Sequence, residues 1–262
     1  MNSRKIKLSH PRPMASGFFS YCSAYLHQII ENIKKENNLS DIELGEFEFY
    51  KTNKEDKIYE SFFEKNPGDI NIQNIKELSF PLYSNRIFYK KSDFLGSKEI
   101  IKKWFGPKKE IKILKNNFII DLNIKTSETL SVYYRGTDTQ SDRGITQYDI
   151  FVNKAKDIIC KNKIKKIFLQ TDDKMFEDYI LSSGIKQKIV KIKEMPSVYS
   201  HKGYHFTMKG DKVEHTKKML ASALLMSECK YVLCNTSNLS RWILIYRDSG
   251  EGYYQFLKGK CL

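Results

Sequence analysis

Two rhythms of apolar and polar positions run along the chain. In residues 17–37 a small, aromatic opening gives way to Leu26, Ile29, Ile30 and Ile33 at helical spacing, which predicts a glycine-containing loop feeding a helix. Residues 46–66 mix aromatic and charged positions without a period, and Phe62-Phe63 after Tyr59 read as packing. Ile100, Ile101, Trp104 and Phe105 predict a short helix over 97–105, stopped by Gly106-Pro107. Residues 111–123 fit either a helix or a strand. Beyond Ser127 the pattern alternates: strands at 130–134, 164–170, 189–192 and 231–234, helices at 147–162, 174–182, 211–226 and 239–246. Such alternation at these lengths is the signature of a doubly wound parallel sheet. The expected division is an N-terminal α/β domain over 1–126 and a Rossmann-like domain over 127–262.

Three of these strands end in polar turns. The stretch TLSVYYRGTDT carries Leu130, Val132, Tyr133 and Tyr134 straight into Arg135-Gly136-Thr137-Asp138. In open α/β sheets ligands bind at the carboxyl ends of strands, and an arginine there followed by Gly, Thr and Asp offers a planar cationic fork, a permissive backbone, a hydroxyl and a carboxylate. Phosphate suits that set; the competing reading of this tetrapeptide alone is a surface turn with a solvated arginine. KIFLQTDD ends in Thr171, Asp172 and Asp173, and CKYVLCNTSNLSR passes from a strand through Asn235-Thr236-Ser237-Asn238 into a helix. Ser, Thr and Asn there can cap that helix, whose free N–H groups and positive dipole end favour a phosphate. The glycine pattern G-x-G-x-x-G is absent, so NAD binding is not inferred.

Length and composition set bounds. The 262 residues, 40% hydrophobic, suffice for one large or two modest α/β domains. A balance of 45 basic against 31 acidic residues gives +14, which suits polyanions, including anionic membrane surfaces and nucleotide sugars. Lysine is spread along the whole chain, which argues against a dedicated nucleic-acid surface. Cys22, Cys160, Cys229, Cys234 and Cys261 form no C-x-x-C pair, and buried thiols in a reducing compartment account for them most simply. No run has the apolar length to span a bilayer. These features predict a soluble cytoplasmic protein, with peripheral contact to anionic membrane compatible with its charge.

The strand-Arg-Gly-Thr-Asp turn, the Thr-Asp-Asp strand end and LLMSECKYVLCNTSNLSR together resemble, in order and spacing, the three motifs of the α1,6-fucosyltransferases of the core-fucosylating and nodulation type and their protein O-fucosyltransferase relatives. The resemblance covers the C-terminal half; in the N-terminal half it is carried only by Gly17-Phe18-Phe19-Ser20 and the helix after it. It implies a GT-B-like α/β fold, two Rossmann-like domains facing a cleft, and an inverting, metal-independent transfer of fucose from GDP-fucose to a glycan acceptor, with no cofactor. By residue-wise carry-over, Arg135 contacts the donor diphosphate, with Gly136 beside it; Thr236, Ser237 and Asn238 form the phosphate-binding turn. Thr171, Asp172 and Asp173 sit near the nucleoside, one of the two carboxylates accepting from the guanine edge.

The chain departs from the pattern at Tyr133, where the α1,6 enzymes have histidine, at Gly136, where they have a second arginine, and at Ala221, where relatives carry aspartate; other relatives share the Tyr-Arg-Gly-Thr-Asp form. Inversion needs a base for the acceptor hydroxyl. Asp138 and His205 are the candidates, and with Arg135 they make up the expected catalytic set, although Asp138 could equally cap its turn or pair with Arg143. His205 matches a histidine of the relatives, His201 and His215 read as solvated loop residues, and Tyr21, Tyr25 and His27 would be acceptor-side contacts or, alternatively, packing and surface residues. Two other classes stay open: a nucleotide-binding or regulatory module of the same fold without transfer activity, and a basic nucleic-acid-binding protein.

Overall fold

The computed structural model describes residues 6–11, 16–36, 42–51, 53, 57–64, 97–137, 146–199, 210–257 and 259–261. In chain order its elements are β1 (Ile6–Lys7), α1 (Phe18–Glu36), β2 (Ile42–Glu43), β3 (Phe63–Glu64), α2 (Lys98–Trp104), β4 (Gly106–Pro107), α3 (Lys109–Asp121), β5 (Thr129–Tyr134), α4 (Tyr148–Lys161), β6 (Lys166–Thr171), α5 (Lys174–Ser182), β7 (Lys188–Val190), α6 (Lys212–Glu228), β8 (Tyr231–Asn235), α7 (Asn238–Arg247), β9 (Tyr253–Leu257) and β10 (Lys260–Cys261). The ambiguous stretch at 111–123 is helical as far as Asp121, within α3, whose Ile111 and Phe118, two turns apart, are buried. Two strands beyond the expected set close the chain.

A six-stranded sheet in the order β10-β9-β8-β5-β6-β7 organises the C-terminal half, parallel throughout except for β10 against β9. The chain enters at β5, steps outward through β6 to β7, then returns to the other side of β5 with β8 and β9, so the order reverses between β5 and β8. Right-handed crossovers in opposite directions place helices on opposite faces, and the packing follows that rule. Leu130, Val132, Tyr134, Ile167, Leu169 and Leu233 pack with Phe151 and Val152 of α4 and Phe176 of α5. Tyr133, Phe168, Val232 and Cys234, one position out of step on the same strands, pack with Leu220 and Leu225 of α6 and Trp242 of α7. The period-two alternation of a strand thus feeds two cores from one sheet.

The N-terminal residues extend the second of those cores. Tyr21, Cys22, Tyr25, Leu26, Ile29, Ile30 and Ile33 form the buried face of α1. Trp242 of α7 is fully buried against it, its indole Nε1 donating to Ser23 Oγ at 3.0 Å, with the Phe105 ring 4.9 Å away. Phe47, Phe62 and Phe63 complete an aromatic cluster around Phe18. Tyr21, Tyr25, Phe62 and Phe63 are therefore packing residues, while His27 is half-buried on α1. Among the described residues the N-terminal strands form only two-stranded pairs, β1 parallel to β2 and β3 antiparallel to β4. Cys22, Cys229 and Cys234 are buried, but Cys160 and Cys261 are exposed, which corrects the expectation of uniformly buried thiols. No described helix is long and apolar enough to cross a membrane.

Candidate functional site

A sheet whose strand order reverses leaves a crevice at the carboxyl ends of the two strands that flank the reversal, because the connections leaving them diverge to opposite faces. Here those strands are β5 and β8. The register pairs Tyr133 with both Gln170 and Cys234, so Arg135, Asp172 and Asn235 all emerge at the same edge.

Arg135 is half-buried at the first position past β5. Its backbone is held from across the crevice: Arg135 N donates to Asn235 Oδ1 at 2.9 Å, and Asn235 Nδ2 donates to Arg135 O at 2.8 Å. The next two residues are held from the other neighbouring strand. Gly136 N donates to Asp172 Oδ1 at 2.9 Å and Thr137 Oγ1 donates to Asp172 Oδ2 at 2.7 Å. Side chains from β8 and β6 thereby fix a turn that has no ladder of its own to continue.

Asp173 has a different task. Its Oδ1 accepts from Met175 N at 2.9 Å and Phe176 N at 3.2 Å, capping α5, and its Oδ2 accepts from Tyr148 Oη at 2.7 Å. Burial first, and then this bond to a carboxylate, push the Tyr148 phenol well above its ordinary pKa, so it stays a donor. Asp173 also takes the space beside Gly136: a Cβ at position 136 would lie 2.0 Å from Asp173 Oδ2 and 2.7 Å from Asp173 Cβ. Glycine at position 136 is thus a packing requirement of this crevice.

The β8–α7 turn is equally committed. Thr236 Oγ1 donates to Phe256 O on β9 at 2.8 Å. Ser237 and Ser240 form a reciprocal capping box, Ser240 N donating to Ser237 Oγ at 3.0 Å and Ser237 N to Ser240 Oγ at 2.8 Å. Among the described residues no acceptor meets the N–H groups of Asn238 and Leu239, which open α7 with the positive end of its dipole. Arg241, buried on the same helix, donates its backbone N–H to Ser237 O. Thr171 Oγ1 accepts from Asp173 N at 3.1 Å and orders the β6 turn.

The structure therefore brings Arg135, Gly136, Thr171, Asp172, Asp173, Thr236, Ser237 and Asn238 to one edge of the sheet. Asp138, His201 and His205 lie outside the described residues. His215 is not a solvated loop residue: it is half-buried in the first turn of α6, where burial and then the charge of Lys218 lower its pKa. Asn235, expected only as part of the turn before α7, instead clamps the backbone of Arg135, and Tyr148 is a participant that the sequence pattern does not single out. An amide at the end of one strand, beside a second strand followed at once by arginine, is a usable signal for that clamp; nothing local marks Tyr148.

No family model matches the chain, and no curated protein matches it by sequence. Solved structures do. The fucosyltransferase NodZ from Bradyrhizobium superposes with a TM-score of 0.58 at 14% identity, covering 99% of this chain and 98% of that one. The NodZ α-1,6-fucosyltransferase co-crystallised with GDP gives 0.58 at 13% identity over 99% and 98%, and the crystal soaked with GDP-fucose gives 0.52 at 14% identity over 92% of each chain. The chain has the fold of the GT-B fucosyltransferases, along nearly its whole length.

Proposed function

We propose that the chain is an inverting, metal-independent glycosyltransferase that moves fucose from GDP-fucose to a glycan acceptor. The observation that carries this reading is the Arg135 turn, clamped by Asn235 at the reversal point of the sheet beside the opening of α7, in a fold shared over most of the chain with an α-1,6-fucosyltransferase co-crystallised with GDP and soaked with GDP-fucose. Breaking the bond from the anomeric carbon to a nucleoside diphosphate releases an oxyanion, and catalysis requires positive charge or donors already in place for it. Arg135 supplies the charge and the Asn238 and Leu239 N–H groups supply donors. Asp172 is bonded to the Arg135 turn, and Asp173 to α5 and Tyr148. One of the two carboxylates receives the guanine N1–H and N2–H edge. Asp138 or His205 takes the acceptor proton.

The test is a thermal-shift panel followed by donor turnover. GDP is expected to raise the melting temperature more than UDP, ADP or CMP, since a ligand specific to the native state stabilises it by mass action. Equal shifts for all nucleotides would count against GDP-fucose as the donor. GDP binding without release of fucose from the donor, with or without glycans, would instead favour the nucleotide-binding module that lacks transfer.

A further inference from the structure

A second concave site lies where the N-terminal segment meets α6. Its volume is about 690 Å³, and Lys51, Lys57 and Lys212 line it together with Tyr50, Ser61 and Asp211. Topology places it on the reactive side of the sheet. Only Cys229 and Lys230 separate α6 from β8, so α6 runs back antiparallel to that strand and its first turn points toward the carboxyl edge where Arg135 stands. A helix of 17 residues is roughly 25 Å long at 1.5 Å per residue, more than the length of the strand it covers. The start of α6 therefore reaches that edge.

Among the described residues that line this site, the charges do not cancel. Asp211, the carboxylate in the lining, is the N-cap of α6: its Oδ1 accepts from Val213 N at 2.8 Å and Glu214 N at 3.1 Å. Lys51 has Glu48 at 3.2 Å. Lys212 donates to Phe49 O at 3.2 Å and sits 4.1 Å over the Phe49 ring, partners that fix its ammonium without neutralising it. Lys57 is exposed and makes no ion pair among the described residues. Among the described lining residues, Lys212 and Lys57 thus leave net positive charge around a cavity of the size that holds a small ligand, with Ser61 in its wall.

We infer that this lysine-lined cavity binds an anionic group, a phosphate or a carboxylate, carried on the sugar acceptor, so that the chain modifies an acidic saccharide. The assignment to the acceptor rests on the glycosyltransferase reading above; the anion site itself does not. Two cations converging from different segments recognise a charged substituent by charge-assisted hydrogen bonds and leave a neutral sugar with no equivalent gain.

The experiment is isothermal titration of the full chain at low salt, with glucose 6-phosphate, glucuronic acid, inorganic phosphate and glucose as probes, in the presence of saturating GDP so that the Arg135 crevice is occupied. The three anions are expected to bind and glucose not. Lys57→Gln with Lys212→Gln should weaken anion binding by about tenfold or more while GDP affinity is unchanged, and Lys57→Arg should retain it. Circular dichroism establishes folding, and if the Lys212 variant fails to fold, Lys57→Gln alone carries the comparison. Equal binding of glucose and its charged derivatives, undiminished anion binding in the folded variants, or binding of heparin with none of the small anions would overturn the inference. Anion binding that persists in a chain showing no affinity for GDP would leave this site standing and remove the donor reading instead.

Discussion

The Asn235 side-chain amide closes a two-way hydrogen-bonded ring with the backbone of Arg135, accepting at 2.9 Å through Oδ1 and donating at 2.8 Å through Nδ2. The two residues are the first beyond or the last within adjacent parallel strands, and the ring spans the point where the strand order reverses. Strands diverge there, and backbone groups would otherwise need water to satisfy them. Asn235→Asp keeps the acceptor but loses the donor, and it places a negative charge beside a cation meant for phosphate. Turnover is expected to fall at least about tenfold, with GDP affinity reduced, while near-isosteric size keeps the fold intact. Wild-type turnover in a folded Asn235→Asp chain would mean that the clamp does not position the arginine.

Much of this geometry is legible in the chain. Strands β5, β6 and β8 and helices α4 to α7 follow from the alternation of apolar runs, the strands buried on both faces, α4 and α5 on one, and α7 on all sides from Leu239 to Ile245. What is not legible arises between distant segments. Strand β9 escapes the pattern because Tyr253, Gln255 and Phe256 are buried together, so its polar and apolar positions do not alternate with exposure. Tyr148 reaches Asp173 across 25 positions, and no local spacing encodes that.

Gly136 tests the packing of the crevice. Asp173 cannot yield easily to a new Cβ at 2.0 Å, since its carboxylate is tied to α5 and to Tyr148. Gly136→Ala is expected to cost roughly 1–3 kcal/mol of stability, in the range of overpacked positions. Combining it with Asp173→Ala, which alone loses a helix cap worth about 1 kcal/mol, should cost less than the two losses added, as expected for neighbours in contact. Additive losses in urea denaturation would place the two residues apart.

The β7–α6 side of the crevice is held by a buried carboxylate. Burial alone would raise the Glu177 pKa, but hydrogen bonds from Lys191 and Ser197, with the charge of Lys191 and Lys174, outweigh it and hold the carboxyl below its ordinary value. Val198, next to Ser197, in turn donates its N–H to Asp172 O at 2.9 Å. A folded pKa below the unfolded one gives stability that is full above the ordinary glutamate range, about 4.3, and is lost as pH falls through it toward the lower folded value. Glu177→Gln should therefore cost about 2 kcal/mol at pH 7 and flatten the fall in urea midpoint between about pH 5 and pH 3. An unchanged slope in the variant would show that Glu177 does not drive that acid sensitivity.

Because the charge for the leaving diphosphate is assigned to Arg135 and to α7, transfer should need no divalent metal. Turnover is expected to be the same in EDTA as in Mg²⁺ or Mn²⁺. Activity abolished by EDTA and restored by either ion would overturn the metal-independent mechanism.

Arg135 itself is the sharpest test. Charge grows on the diphosphate oxygens as the glycosidic bond breaks, so a guanidinium bonded to them gains strength toward the transition state, and its loss should reduce turnover more than donor affinity. Its backbone is fixed by Asn235 through atoms that every side chain at 135 would share, so truncation should leave the turn in place. Arg135→Ala is expected to lower turnover on the order of a hundredfold or more, by the scale of a single lost oxyanion donor. Arg135→Lys should recover little of it, because a point charge does not reproduce a planar fork that spans two phosphate oxygens. Donor turnover on purified variants, with circular dichroism to establish folding, decides the matter. Near wild-type turnover in a folded Arg135→Ala chain would take Arg135 out of the site, and with it the principal chemical reason for reading the crevice as that of a glycosyltransferase.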